Sequence, residues 1–316
     1  KEGGLLNDGE KGGYHHENFS DYESFGNGKQ ILWILGDSWI ARLQYNHFKI
    51  FENNLINNYS TLRIFSNSSW SPLIYSLVIR NRGNKYNQKP DAVAIYLDQT
   101  DIGDDYCRYR PLVVRDNKNR LIRVNTNKFT TWGNYDFKYH VLFEEHSSGI
   151  IYAIKYLIYR AFYAIRFAPP GIATCEYEDI MAWNLGKEKT SNGVYTKNYG
   201  KYFKRTLSEL RDELIRLNPK VKILFITHEW AQHGLEEKHN NLFKKNISSI
   251  IEEVFSNDQN VELINITTKD YVNLNPNSEF IYDYPEDKFS HLLPNSYDEF
   301  ASFISEGIKQ KLFPNQ

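Results

Sequence analysis

Apolar residues in this chain fall into short, dense runs separated by long polar stretches. Ile31-Leu32-Trp33-Ile34-Leu35 ends at Gly36, and Thr61-Leu62-Arg63-Ile64-Phe65 leads into a Ser/Asn-rich loop at 66–71. Ala92-Val93-Ala94-Ile95-Tyr96-Leu97 follows Pro90, and two further runs lie at 221–227 and 261–266. Runs of this length, bounded by turn signals, read as strands buried on both faces. Helical patterns cover 40–53, 199–217, 236–255 and 295–312, and Pro72 is placed to open another that runs to about 81. Strands alternating with helices predict a parallel sheet, here of five strands, with helices on both faces. In such a sheet ligands bind at the carboxyl ends of the strands.

The alternation is interrupted at 102–198. Residues 112–124 hold two β-rich arms around a polar turn and predict a hairpin. An aromatic helical pattern over 147–167 stops before Pro169-Pro170-Gly171. We read 102–198 as an insertion at the edge of the site, within one domain spanning 30–316. Residues 1–29 are Gly-rich, polar and without period, which predicts a flexible tail.

No segment reads as a membrane span: the most apolar candidate, 150–167, carries Lys155, Arg160 and Arg166. A peripheral contact through that helix is an alternative to core packing. However, Lys155 and Arg160 lie ~140° apart on a helical wheel, which spoils a clean polar face and favours the core.

Charge and composition narrow the function. The 316 residues hold 38 basic and 39 acidic side chains, a net charge of −1. That balance lacks the basic excess of a dedicated nucleic-acid binder. Aromatic residues reach 15%, which suits rings offered to a sugar and equally an aromatic core. Cys107 and Cys175 are the two cysteines, too few for a disulfide framework and without zinc-ligand spacing. One disulfide between them is open to an exported protein, and a periplasmic or extracellular location is expected ahead of a cytoplasmic one. No Gly-rich phosphate loop is present, which counts against a phosphate-binding flavodoxin-like domain.

Three segments carry candidate chemistry. Gly36-Asp37-Ser38 follows the first strand, where a serine sits at the rim of the sheet and backbone N–H groups can face a developing oxyanion. The same residues also make an ordinary helix cap. Asp287-Lys288-Phe289-Ser290-His291 precedes the last helix, where an acid can orient an imidazole that deprotonates a hydroxyl. Leu97-Asp98-Gln99-Thr100-Asp101-Ile102-Gly103 follows the third strand, with polar side chains at the same rim or, equally, in a capped turn. Thr227-His228-Glu229-Trp230 after the fourth strand can line the same pocket.

In this order, the three segments resemble the GDSL/SGNH hydrolases over about 31–101 and 221–312. The resemblance implies a flavodoxin-like three-layer α/β/α fold. It implies Ser38 as nucleophile, His291 as base and Asp287 as the orienting acid. The oxyanion hole would be made by Ser38, Ser69 and Thr100, and Asp37, Gln99 and His228 would contact substrate. No metal or organic cofactor is implied. The pattern departs from the family in three places. Thr100 stands where the family has Asn, and 66–70 lacks the family's Gly, leaving Ser68 or Ser69 to donate. Asp287 is four residues before His291 rather than three, with Asp283 and Glu286 as alternative acids. The expected activity is an esterase or O-acyltransferase acting on an acylated carbohydrate. The rival is a catalytically inactive carbohydrate-binding or assembly protein of the same fold.

Overall fold

The computed structural model describes residues 20–43, 45–67, 70–98, 100–110, 113–124, 194–228, 247–266 and 297–314. Their strands are β1 (Ser20–Phe25), β2 (Gln30–Gly36), β3 (Tyr59–Ser66), β4 (Ala92–Tyr96), β5 (Val113–Arg115), β6 (Leu121–Val124), β7 (Lys222–His228) and β8 (Val261–Ile266). Their helices are α1 (Ser38–Ala41), α2 (Tyr45–Leu55), α3 (Pro72–Tyr86), α4 (Thr100–Gly103), α5 (Val194–Leu217), α6 (Ile247–Phe255) and α7 (Tyr297–Leu312). A π-helical turn, Asp104–Tyr109, continues α4.

The main sheet runs in the order β1-β3-β2-β4-β7-β8. The last five of these are mutually parallel, and β1 pairs antiparallel with β3. Alternate residues of each central strand feed two cores. Trp33, Leu35, Val93, Ile95, Ile223 and Phe225 face α3, α5 and α6. Leu32, Ile34, Ala92, Ala94, Leu224 and Ile226 face α1, α2 and α7. A strand buried on both faces shows no alternation in its sequence, which is why these segments read as unbroken apolar runs. The architecture is therefore three-layered, α/β/α, as expected.

Two expectations change. The sheet has six strands among the described residues rather than five, and the extra one comes from the stretch read as a tail. Tyr22 and Ser24 point inward while Glu23 and Phe25 point out, the pattern of a half-buried edge strand. Tyr22 lies opposite Ile64, and its hydroxyl donates to Glu52. Gly28 is a packing residue of the β1–β2 turn: a Cβ there would come within 2.3 Å of the Asn58 backbone. The second change concerns the helix expected at 40–53, which is divided into the single turn α1 and the longer α2.

The hairpin expected at 112–124 is present as the antiparallel pair β5–β6. It packs near α3, where the Arg80 guanidinium donates to the Leu121 carbonyl and pairs with Glu213 of α5. The aromatic helix at 147–167, Cys175 and the rest of 125–193 lie outside the described residues. Among the described residues, no helix is long and apolar enough to cross a membrane.

Candidate active site

Reading only the parallel strands in chain order, the sheet is arranged 2-1-3-4-5. After β2 the chain builds β3 on one side and then crosses to β4 on the other. The carboxyl ends of β2 and β4 therefore flank a switch point, where such sheets bind ligands. Gly36-Asp37-Ser38 and Asp98-Gln99-Thr100-Asp101 leave the sheet there.

Local packing fixes the first turn. A Cβ on Gly36 would lie 2.1 Å from Ile40 Cγ1, so only glycine lets the chain fold back this sharply. Asp37 caps α1, its Oδ1 accepting from the Trp39 N–H at 3.0 Å. Ser38 is half-buried at the rim, with Oγ 3.5 Å from Asp37 Oδ2. Because α1 is one turn long, Ser38 has little helix dipole behind it, and any anion stabilisation must come from individual donors. The Asn67 N–H, at the end of β3, donates to the Gly36 carbonyl at 3.3 Å and joins the second loop to the first.

Beneath Ser38 lies a buried acidic group. Asp37, Asp98 and Asp101 each present a carboxylate oxygen within 4.8 Å of the others. Asp98 N–H donates to Asp101 Oδ2 at 3.1 Å, and Asp101 N–H returns to the Asp98 carbonyl at 3.3 Å. This is the capped turn that the sequence offered as one reading of the segment. Burial, followed by the neighbouring carboxylates, pushes both Asp37 and Asp101 well above the usual carboxylate range. Holding protons satisfies such a group without a cation, as carboxyls crowded together must.

His228 closes β7. Its Nδ1 is 2.7 Å from the Tyr96 hydroxyl, and its ring packs 4.5 Å from that of Trp39. Burial lowers its pKa to about 3, so the ring is neutral at ordinary pH. Farther along the rim, Asp105 caps α3 from outside: Oδ1 accepts from Ser71 Oγ and from the Leu73 N–H at 3.2 Å. Arg110 stacks on Tyr106, 3.7 Å from the ring centre.

The structure thus brings Ser38, Asp37, the start of α4 at Thr100, and His228 to one end of the sheet. Asp37 and His228 were expected to meet substrate. They are buried to 1% and 3% exposure, behind the rim rather than on it. Ser68, Ser69, Gln99, Asp283, Glu286, Asp287 and His291 lie outside the described residues, as does the side chain of Thr100. The sequence reading missed Trp39, whose Nε1–H donates to Asp98 Oδ2 at 2.9 Å. It also missed the Tyr96–His228 pair. Both join residues far apart in the chain, and neither leaves a local motif.

No family model and no curated protein matches the chain. Among solved structures it is similar to an acetyl xylan esterase from the rumen bacterium Butyrivibrio proteoclasticus, at 11% identity and a TM-score of 0.40. That match covers 92% of this chain but 65% of the other, so the chain spans just under two thirds of that protein's length. A carbohydrate esterase with divergent catalytic and non-catalytic binding functions matches at 9% identity and a TM-score of 0.39, over 90% of this chain and 69% of that one. An acetylxylan esterase from Geobacillus stearothermophilus matches at 11% identity and a TM-score of 0.40, over 89% of this chain and 95% of that one. Identities and scores this low leave the functional reading to rest on the chain's own residues.

Proposed function

We propose that this protein is a serine esterase of the GDSL/SGNH type acting on O-acylated carbohydrate. The supporting observation is Ser38: half-buried, on a turn that glycine alone permits, at the switch point of a parallel sheet and beside the turn carrying Thr100. Ser38 Oγ attacks the acyl carbonyl carbon while His291 takes its proton and Asp287 orients the imidazole. The carbonyl oxygen becomes an oxyanion facing the Ser38 N–H and donors at Ser69 and Thr100. Collapse breaks the ester bond, His291 returns the proton to the leaving sugar alkoxide, and the acyl group stays on Ser38. Water, activated by the same histidine, then releases the acid; a sugar hydroxyl in its place makes the protein an acyltransferase. The catalytic domain is 30–316 with 102–198 as an insertion, extended at its edge by β1.

The test is turnover of p-nitrophenyl acetate and acetylated sugars by wild type and Ser38→Ala. We expect wild-type turnover and its loss in the variant; full activity in Ser38→Ala overturns the proposal. The shorter hydroxyl of Thr100 in place of asparagine, with no glycine at 66–70, favours the inactive, carbohydrate-binding rival, since an oxyanion donor that fails to reach costs ~10²–10³ in rate. Polysaccharide binding without any turnover would establish it.

A further inference from the structure

Ser38 is followed by Trp39, a large aromatic residue with 4% exposure and therefore set back from the rim. It packs among Tyr96, His228 and Phe300. An apolar ring would fill that space, yet the residue present carries a polar N–H, and that N–H is used. It donates to Asp98 Oδ2 at 2.9 Å, across 59 residues of sequence. Asp98 is itself 4% exposed and is the first residue of the turn that Asp101 closes, the turn from which Thr100 starts α4. Breaking a bond between buried groups leaves both partners desolvated and unpaired, so the pair has one favoured geometry.

We propose that Trp39 and Asp98 are positioning residues whose hydrogen bond clamps the Ser38 turn to the Thr100 turn across the switch point. The clamp fixes the backbone that carries the nucleophile relative to the backbone that carries Thr100. A misplacement of ~1 Å between reacting groups can cost ~10²-fold in rate. Neither clamp residue touches substrate. The inference rests on Ser38 being the nucleophile proposed above.

The experiment uses the full chain as wild type, Trp39→Phe, Asp98→Asn and Asp98→Ala. Trp39→Phe keeps an aromatic ring and removes the donor. Asp98→Asn keeps an acceptor oxygen, and Asp98→Ala removes it. We measure kcat and KM for p-nitrophenyl acetate, the rate of Ser38 modification by a fluorophosphonate, and the ¹⁵N–¹H signals of the indoles. Trp39→Phe and Asp98→Ala are expected to lower kcat and the modification rate by ~10–100-fold, with KM changed less than about twofold. Asp98→Asn is expected to keep most of the wild-type rate. The Trp39 indole signal, identified by its loss in Trp39→Phe, should move upfield in Asp98→Ala and stay near its wild-type place in Asp98→Asn. A merely structural role would lower the melting temperature of the variants without this split between asparagine and alanine. Wild-type rates in Trp39→Phe and Asp98→Ala, alongside a labelled wild type, overturn the clamp and leave the esterase reading intact. If Trp39→Phe does not fold, the Asp98 pair decides by the same criteria. A wild type that is neither active nor labelled overturns both.

Discussion

Asp105 offers a calculable link between a buried carboxyl and stability. Its side chain is fully buried against the first turn of α3, where Oδ1 accepts from Ser71 Oγ and the Leu73 N–H. Ser71, the formal cap, makes no capping bond with its own side chain, so Asp105 supplies it. Burial pushes the carboxyl up from 3.8 to about 7, against the lowering effect of those hydrogen bonds. In the unfolded chain the group loses its proton near 3.8, whereas in the folded protein it keeps it until about pH 7. Between those values the folded state binds more protons, so stability falls as pH rises through that window. At 1.36 kcal/mol per pH unit the full penalty is about 4 kcal/mol above pH 7, an upper bound for a site that can relax. Asp105→Asn keeps an oxygen for the α3 N–H and removes the ionisation. Urea unfolding at pH 4.5, 6 and 8, followed by circular dichroism, compares the two proteins; titrating groups that do not interact with Asp105 cancel in the difference, leaving Asp105 and its coupling to Asp101 and Asp104. We expect the variant to lie within about 1 kcal/mol of wild type at pH 4.5. It should gain on wild type steadily towards pH 8, by up to about 4 kcal/mol. A difference that stays constant from pH 4.5 to 8 would refute the reasoning.

Further outcomes are expected for Gly36 and His228. Gly36→Ala should destabilise the protein by about 2–3 kcal/mol, because its Cβ meets Ile40 at 2.1 Å. Combining it with Ile40→Gly, which removes both the Cγ1 and the Cβ that lies at 2.4 Å, should cost less than the two singly, and strict additivity would count against the contact. His228, lowered to about 3 by burial, should show no change in its imidazole NMR signals between pH 8 and 4.5. Since its folded value lies below its unfolded one, its contribution to stability is present above about pH 6.5 and is lost as pH falls towards 3. A titration near pH 6.5 would show the ring to be solvated instead.

How much could be read in advance follows from the range over which each feature is encoded. β2, β4 and β7 are buried on both faces, so composition alone marks them. The Gly-Asp-Ser turn is three consecutive residues and is equally local. β1 went unread because over 22–25 only the alternate residues Tyr22 and Ser24 are buried, too short a pattern to stand out, and the nearby Gly28 looks like linker composition until its contact with Asn58 is seen. α3 was expected to run to about 81, where Arg80, Asn81 and Arg82 are polar. In the fold Arg80 pairs with Glu213, Arg82 lies over Phe65, and the helix continues to Tyr86. The Asp105 cap spans about thirty residues and the Trp39–Asp98 bond 59, distances at which no local pattern survives. The place of Ser38 at the rim was therefore legible, while the network around it was not.

Mass spectrometry of the protein after treatment with a fluorophosphonate is the most direct measurement of the central claim. The account predicts one covalent adduct, mapped to the peptide carrying Ser38, absent from Ser38→Ala and blocked by prior mutation of His291. Unmodified wild-type protein, or an adduct on any other serine, would contradict it.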